Sequence, residues 1–331
     1  MSRVVRFHQT GGPEVLQIEE LEVGAPGSGE MRIRVEAIGL NRAEAMFRSG
    51  VYLEPTQLPA RLGYEASGIV EALGSGVHGF EVGEAVNVIP AFSMNKFGVY
   101  AEQAIVPAWG VLKRPAGVGA VEGAAIWMPY LTAYGALVEI AQLAAGEAVI
   151  ITAASSSVGL AAIQIANSVG AVTIATTRTR AKEAALREAG VAHVIVTEEL
   201  DLVAEVMRIT DGQGARIVFD SVAGPYVETL VQAMRQNGTL FIYGNLSGQQ
   251  TPFPALAAMN KALNLRGYTL FELTGDPQRL ALAQAFIMRG LEAGQFKPII
   301  ARTFPFEQIV EAHRYMESNQ QFGKIVVTVP R

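Results

Sequence analysis

Residues 148–170, AVIITAASSSVGLAAIQIANSVG, constrain the fold more than any other stretch of the chain. An apolar run leads into a cluster of small residues, apolar side chains then recur at helical spacing, and a second apolar run follows at 172–175. This order predicts strand, tight turn, helix and strand. The free N–H groups and the positive dipole end of such a helix form a site suited to a pyrophosphate.

The glycine fingerprint of dinucleotide sites, G-x-G-x-x-G, is only partly present at this turn. Ala154, Ser156 and Gly159 occupy its three glycine positions, so only the last glycine is kept, where it allows close packing of helix and strand. The hydroxyls of Ser155, Ser156 and Ser157 are able to donate hydrogen bonds to a phosphate. An ordinary buried turn of a parallel sheet has the same composition, and the turn alone leaves both interpretations open.

Composition narrows the function classes. The 331 residues are enough for two domains, and 50% hydrophobic with 17% charged residues is typical of a globular enzyme. The formal net charge of −5 gives no support for nucleic-acid or anionic-membrane binding, and the absence of cysteine excludes disulfides and thiolate metal ligands. Residues 148–177 carry no charge, but serines, Gln164 and Asn167 interrupt them, which favours a buried βαβ unit over a membrane span. No signal peptide is visible at the start, and we expect a cytoplasmic protein.

The pattern changes along the chain. Short alternating strands dominate the first part, at 4–7, 17–22, 31–38, 68–70, 84–89 and 100–106, and residues 123–140 are helical. Strands then alternate with helices, which predicts a parallel sheet covered on both faces. The predicted strands are 172–176, 193–196, 216–219, 239–243, 264–271, 298–303 and 324–329, and the predicted helices are 180–189, 200–209, 226–235, 277–291 and 306–316.

Several short motifs resemble the medium-chain dehydrogenase/reductase superfamily. They are GLNR at 39–42, RSG at 48–50, GYE at 63–65, GIV at 68–70, Val77 with GF at 79–80 and VG at 82–83, GVYAE at 98–102, LTAY at 131–134, the turn at 153–159, FDSV at 219–222, YGN at 243–245 and GKI at 323–325. The chain is most similar to the zinc-independent quinone oxidoreductases, the zeta-crystallin-like branch.

This resemblance implies an α/β fold of two domains. A GroES-like, β-rich catalytic domain would comprise residues 1–124 and 272–331, and a doubly wound parallel-sheet Rossmann domain that binds NADP would comprise residues 125–271. It also implies a homodimer in which the strand at 264–271 pairs with its copy across a two-fold axis.

The zinc site of other superfamily members is not expected here. By resemblance its thiolate position falls near residues 42–43 and its imidazole position is Tyr64, while zinc prefers sulfur and nitrogen ligands. The four histidines, His8, His78, His193 and His313, lack ligand-like spacing and are predicted to be surface or structural residues.

Without a Lewis acid, alcohol oxidation is disfavoured, whereas quinones and conjugated carbonyls accept hydride with hydrogen-bond help alone. By resemblance Asn41, Tyr52 and Tyr64 face the nicotinamide and supply that help, and a tyrosine is a plausible proton donor. The two tyrosines are equally well explained as packed core aromatics with satisfied hydroxyls, and positioning of the quinone on the nicotinamide would then do most of the work.

The end of the second nucleotide-domain strand predicts NADPH rather than NADH. An NAD site places an acid there to hold the ribose hydroxyl, but residues 175–182, ATTRTRAK, contain no acid and three cations. Arg178 and Lys182 would pair with the 2′-phosphate, Lys182 at the family's phosphate-binding position. Thr197, followed by two glutamates, stands where relatives often carry a tyrosine. A solvated basic helix start is the alternative.

Resemblance assigns the remaining cofactor contacts. Beyond the residues already described, they are Thr132, Val158, Thr176, Ser221, Gly244, Asn245, Leu270 and Lys324, although each is compatible with an ordinary turn or cap. The predicted activity is hydride transfer from NADPH to small quinones. The alternatives are reduction of an enal, enone or enoyl-thioester C=C bond, or a low-turnover NADPH-binding, crystallin-like protein; no basic-aromatic stripe supports RNA binding.

Overall fold

The structure is a computed structural model in which residues 1–330 are described. Arg331, the last residue of the predicted catalytic domain, lies outside the described residues. The strands are β1 Ser2–Phe7, β2 Gln17–Leu21, β3 Glu30–Gly39, β4 Ala60–Arg61, β5 Ala66–Leu73, β6 Ala85–Val88, β7 Gln103–Pro107, β8 Val111–Lys113, β9 Ala148–Ile151, β10 Val172–Thr177, β11 His193–Val196, β12 Ala215–Asp220, β13 Met234–Ile242, β14 Asn264–Gly267, β15 Ile300–Pro305 and β16 Lys324–Thr328.

Most helices belong to the second half of the chain. They are α1 Arg42–Arg48, α2 Ala120–Gly123, α3 Trp127–Tyr134, α4 Ser157–Ser168, α5 Glu183–Glu188, α6 Leu202–Ile209, α7 Val227–Gln232, α8 Ala255–Lys261, α9 Phe271–Thr274, α10 Pro277–Glu292 and α11 Ile309–Glu317. Helix α3 continues as a π-helix over Gly135–Ile140. Within the described part of the chain, none of the helices combines the length and apolar character needed to cross a lipid bilayer.

The chain divides into two compact units. The first unit contains Met1–Met128 and Pro298–Arg331, and the second contains Pro129–Lys297. The second unit is therefore an insertion, in sequence, into the first. The domain boundaries predicted from the sequence lie at 124/125 and 271/272. They differ from this division mainly at the second junction, because α9 and α10 belong to the second unit. The predicted domains themselves stay a prediction.

The second unit is built on one six-stranded parallel sheet with the order β11-β10-β9-β12-β13-β14. Numbered within the unit, this is the order 3-2-1-4-5-6 of doubly wound dinucleotide-binding folds. Apolar side chains of the strands, with those of α6 and α7, form a buried core that includes Ile150, Ile174, Val206, Val218 and Leu230. The predicted doubly wound α/β fold is confirmed.

The first unit is β-rich, as expected. Its seven-stranded sheet has the order β15-β16-β3-β5-β6-β8, with β7 also paired to β3, and a three-stranded sheet has the order β2-β1-β4. Alternation along β3 is confirmed, because Ile33, Val35 and Ala37 are buried whereas the intervening side chains are partly exposed.

A buried arginine ties the first helix of this unit to its last. Arg48 is fully buried and donates hydrogen bonds to His313 Nδ1 at 2.7 Å and to the carbonyl of Gly11 at 3.0 Å, and it pairs with Glu317. Burial and the Arg48 charge lower the pKa of His313 to about 3, so this imidazole is neutral. His313 is a structural residue, one of the two roles predicted for it.

Two predicted elements are too long. The helix predicted at 226–235 ends at Gln232, because Met234 already pairs with Ala215 as the start of β13. The strand predicted at 264–271 ends at Gly267, which pairs with Ile242, the last residue of β13. Since β13 ends at Ile242, it offers no further residue for pairing, and Leu270 becomes the N-cap of α9.

Candidate functional site

The switch point of the second unit lies between β9 and β12, where the strand order reverses. Ligands of open α/β sheets bind outside the carboxyl ends of the strands at such a point. A buried hydrogen-bond network fixes these two strand ends: Thr152 Oγ1 donates to Asp220 Oδ1 at 2.5 Å, and Ser221 N–H donates to Thr152 Oγ1 at 3.1 Å. Asp220 also accepts from the N–H groups of Val222 and Ala223, which holds the following loop in place.

The serine turn after β9 begins α4. Ser156 is the N-cap and its Oγ accepts from Gly159 N–H at 3.0 Å, while its hydroxyl also interacts with that of Tyr243. A Cβ at position 159 would lie 2.6 Å from the carbonyl oxygen of Ala154, so only glycine fits this approach. The predicted packing role of Gly159 is confirmed. Ser157 and Val158 are the first two residues of the helix.

The predicted basic segment lies next to this turn. Lys182 Nζ donates to Ser155 Oγ at 3.1 Å, which joins the end of β10 to the turn after β9. Burial, followed by repulsion from Arg178, lowers the pKa of Lys182. Arg180 points elsewhere and forms an ion pair with Glu199, at 2.6 Å. Of the three predicted cations, Arg178 and Lys182 therefore lie close enough to repel one another.

The ends of β12 and β13 also approach closely. Tyr243 N–H donates to the Asp220 carbonyl and Leu246 N–H to the Ser221 carbonyl, and a Cβ on Gly244 would lie 3.0 Å from the latter oxygen. The hydroxyls of Ser221 and Tyr243 are buried without a hydrogen bond of normal geometry among residues 1–330. Asn245 follows in the same loop, and its side-chain oxygen accepts from Ser247 at 3.3 Å.

The second unit contains three further predicted contact residues. Thr132 is buried on α3, Thr176 is buried near the end of β10, and Leu270 is a buried cap residue of α9. The two remaining predicted cofactor contacts, Asn41 and Lys324, belong to the first unit. Their contact with a cofactor remains a prediction.

These features of the second unit fit a dinucleotide. A capped helix N-terminus with donor hydroxyls suits a diphosphate, and two mutually repelling cations suit a further anionic group. The buried Tyr243 hydroxyl interacts with those of Ser221 and Ser156, so these polar groups are brought together where the strands end. The residues that would hold the diphosphate are those of the serine turn, and Arg178 and Lys182 would hold the 2′-phosphate.

In the first unit, Lys324 is the centre of a buried polar cluster. Its Nζ lies 2.5 Å from Glu65 Oε2 and donates to Asn41 Oδ1 at 2.6 Å, and the exposed fractions of the Lys324 and Glu65 side chains are 1% and 0%. Glu65 Oε1 also accepts from Met128 N–H at 2.9 Å. Gly39 makes room for the pair, because a Cβ there would overlap the Ala124 carbonyl and contact both charged side chains.

Glu44 is a second buried carboxylate in this cluster. It accepts from Asn41 N–H at 2.6 Å, from Asn41 Nδ2 at 3.3 Å and from Tyr64 N–H at 3.2 Å. Burial raises the pKa of Glu44 to about 7, although the Lys324 charge opposes the shift. Asn41 Nδ2 also donates to the Gly39 carbonyl at 3.0 Å, so its amide is held from several sides.

Tyr52 and Tyr64 stand in an aromatic row. Their ring centroids are 6.2 Å apart, Phe47 lies 6.3 Å from Tyr52, and Phe92 lies 5.9 Å from Tyr64. The two hydroxyls are hydrogen-bonded to one another. Burial raises the pKa of Tyr52 to about 12 and that of Tyr64 well above its usual value. These phenols can donate hydrogen bonds, but they give up their protons reluctantly.

The residues around Lys324 do not fit a zinc ion. The chain contains no cysteine, and the position predicted for an imidazole ligand carries the buried, apolar-packed ring of Tyr64. A cation already stands between Asn41 and Glu65, namely the ammonium of Lys324, and it would repel a second one. Among residues 1–330 no three His, Cys, Asp or Glu side chains are grouped so that they could hold a metal.

Sequence reasoning missed four residues of these clusters: Glu44, Glu65, Thr152 and Asp220. A signal for Glu44 was present, because Asn41 and Glu44 have the N-cap to N3 spacing of a capping box. Glu65 and Asp220 lie inside motifs that carried the family resemblance. Their roles depend on tertiary contacts with residues that are distant in sequence, and no local pattern reports those contacts.

Comparison with known families matches both units. The alcohol dehydrogenase GroES-like domain family matches residues 27–116, and the zinc-binding dehydrogenase family matches residues 157–286. The expected GroES-like character of the first unit is thereby confirmed.

Individual relatives match over almost the full length. Human quinone oxidoreductase is 31% identical over 330 residues, covering 99% of this chain and 98% of the relative, and 2-haloacrylate reductase from a Burkholderia species is 29% identical over 97% of both. The structure of Escherichia coli quinone oxidoreductase complexed with NADPH superposes with a TM-score of 0.92 at 30% identity, covering 98% of this chain and 99% of that chain. JamJ enoyl reductase in its apo form superposes with a TM-score of 0.88 at 27% identity over 100% of both chains.

The buried pair of Lys324 and Glu65 makes a prediction for stability. Lys324→Met removes the ammonium that pairs with Glu65 and whose charge opposes the pKa shift of Glu44, and we expect a loss of about 3–5 kcal/mol in the free energy of unfolding at high pH. The loss should shrink as the pH falls, because removal of the ammonium raises the pKa of Glu44 further, and the folded variant then takes up a proton at pH values where the wild-type Glu44 is still ionised. Urea denaturation at several pH values measures this.

The matched control is the double variant Glu65→Gln with Lys324→Met, which removes both charges of the pair. It should recover part of the lost stability. A loss for Lys324→Met that is the same at every pH would contradict the electrostatic account.

Proposed function

Because this chain belongs to the quinone oxidoreductase branch of the medium-chain dehydrogenase/reductase superfamily, we propose that it reduces small quinones with NADPH and without a metal ion. The observation that carries the proposal is the contact of Lys182 with Ser155, which joins a cation cluster to the serine turn at the switch point. NADPH supplies the hydride, and the protein binds and orients the reactants.

The second unit selects the phosphorylated cofactor by charge. Lys182 and Arg178 stand where an acidic residue would hold the free ribose hydroxyl of NADH, and their mutual repulsion is relieved by the 2′-phosphate. Glu199 does not compete for these cations, because it is engaged by Arg180. The Ser156 hydroxyl and the N-terminus of α4 hold the diphosphate, which both dinucleotides share.

The first unit supplies hydrogen bonds to the acceptor. We assign this role to the linked phenols of Tyr52 and Tyr64: because one hydroxyl donates to the other, one proton is left to donate to a carbonyl oxygen as it becomes negatively charged. Their raised pKa values leave the final protonation of the hydroquinone to solvent. Asn41 acts as a positioning residue, because its amide is held by Gly39, Glu44, Glu65 and Lys324.

Reduction of a conjugated C=C bond is the second candidate. It is supported by the likeness to 2-haloacrylate reductase and to JamJ enoyl reductase. The same hydrogen bonds would stabilise an enolate oxygen instead of a hydroquinone oxygen.

The cofactor assignment predicts a specific loss. Arg178→Ala with Lys182→Ala should weaken NADPH binding by about a hundredfold, at roughly 1.4 kcal/mol for each tenfold, and leave NADH binding nearly unchanged. Titration calorimetry with both cofactors measures this. Arg208→Ala is the matched control, because it removes an exposed cation of the same unit, on α6, that pairs with Glu205, and it should change neither affinity.

The acceptor is tested by following NADPH absorbance with a panel of quinones, enals, enones and enoyl thioesters. We expect oxidation by quinones, and Tyr52→Phe and Tyr64→Phe should each lower kcat/KM about tenfold without weakening NADPH binding, since each breaks the pair of linked hydroxyls. NADPH binding without any turnover would instead support a crystallin-like binding protein. Unchanged rates in both variants would mean that the tyrosines serve only in packing.

We also propose that the chain forms a homodimer through β14. This strand is the outermost in the described sheet, and an unpaired strand edge favours pairing with a copy. The segment that leads into it exposes the large apolar side chains Phe253, Leu256 and Met259, with exposed fractions of 69%, 81% and 71%. An exposed apolar patch of this kind is typical of an interface.

Sedimentation analysis tests the dimer. We expect a dimeric mass for the wild type and a monomeric mass for Leu256→Glu with Met259→Glu. Leu282→Glu, on α10, is the matched control, because Leu282 is also largely exposed in the same unit, at 66%, and its substitution should leave the dimer intact. A monomeric wild type would refute the proposal.

A further inference from the structure

The buried cluster of the first unit contains more negative than positive charge. Glu44 and Glu65 are both fully buried, and Lys324 is the only cation in hydrogen-bond contact with either carboxylate among the described residues. The hydrogen-bonded ion pair joins Lys324 to Glu65. Glu44 is left with N–H donors alone, and two buried carboxylates beside one ammonium favour the uptake of a proton by one of them.

The contacts of Glu44 join two parts of the site. Its Oε2 accepts from the Asn41 N–H, which caps α1, and its Oε1 accepts from the Tyr64 N–H. One carboxylate therefore holds two residues of the site. The first is Asn41, whose side-chain oxygen accepts from the Lys324 ammonium. The second is Tyr64, one of the two linked tyrosines that we assign to the acceptor.

We propose that Glu44 is a positioning residue that holds Asn41 and Tyr64 in their productive geometry only when it is ionised. An ionised carboxylate accepts on both oxygens, whereas a protonated one presents an O–H to a neighbour that is itself a donor. The inference rests on the proposed reductase function. It adds to that function a proton-dependent element built from a side chain that does not touch the reactants.

The surroundings of Glu44 agree with titration in the neutral range. The charge of Lys324, on β16, favours the ionised form of Glu44. The Glu44 charge in turn raises the pKa of three tyrosines on neighbouring segments, Tyr52, Tyr64 and Tyr100. Arg48, at the other end of α1, hydrogen-bonds to Gly11, His313 and Glu317. Burial outweighs the ammonium and raises the pKa of Glu44 to about 7.

The test is the pH profile of kcat/KM for NADPH and para-benzoquinone. The wild type should gain about tenfold in activity as the pH rises through roughly 7, because Glu44 then ionises. Glu44→Gln keeps one acceptor oxygen and places an N–H₂ group where the carboxyl proton would be. It should therefore be as active as the low-pH wild type at every pH. The control, Glu84→Gln, removes a carboxylate that pairs with Lys113 in the same unit and should keep the wild-type profile.

A purely structural role for Glu44 predicts something different. Glu44→Gln would then lower the rate by one factor at all pH values and keep the wild-type inflection, and this result would overturn the proposal.

A second measurement needs neither a folded variant nor turnover. Infrared difference spectra of the wild type should show a protonated carboxyl group that disappears as the pH rises through roughly 7. The absence of this band would overturn the role of Glu44 even if quinone reduction is found. Its presence in a protein that turns over no acceptor would leave the cluster intact and refute the reductase function instead.

Discussion

The contact between Lys324 and Glu65 is the interaction on which the first unit depends. Its partners are separated in sequence by the whole of the second unit, so the pair forms only after the tail has returned to the front of the chain. Breaking a buried pair by removing one partner is costly, because the remaining charge is uncompensated. A glycine at position 39 leaves room for both charged side chains, and a larger residue would displace them. Fold and site are therefore fixed by the same contact.

Much of the second unit could be predicted from sequence because its rules are local. Two short apolar runs define β9 and β10, and apolar residues at helical spacing between them define α4. The order strand, helix, strand implies the parallel sheet. Element ends were less accurate where tertiary pairing decides them: Met234 joins a strand because Ala215 pairs with it, and Gly267 ends one because β13 ends beside it. The serine turn and Lys182 were identified as neighbours in function, and their hydrogen bond follows from the parallel register of β9 and β10.

The buried charges could not be predicted in the same way. Nothing near Glu44 in sequence says that it is fully buried, or that Lys324 will lie close enough to influence its pKa. Arg178, Arg180 and Lys182 look alike in sequence, yet Glu199 engages only Arg180. The distinction depends on where β11 ends, and this is a property of the sheet rather than of the basic segment.

The electrostatics of the first unit indicate the order of events in the proposed reaction. A phenol with a pKa near 12 stabilises a developing oxyanion by hydrogen bonding but transfers its proton only to a stronger base. Charge on the acceptor oxygen therefore develops before protonation, and the site must stabilise that charge with donors already in place. Fixed donors require a fixed surrounding structure: Glu44 accepts from the Tyr64 N–H, and Lys324 donates to the Asn41 side chain. The Lys324 ammonium, paired with Glu65, can stabilise this arrangement without giving up a proton to the acceptor.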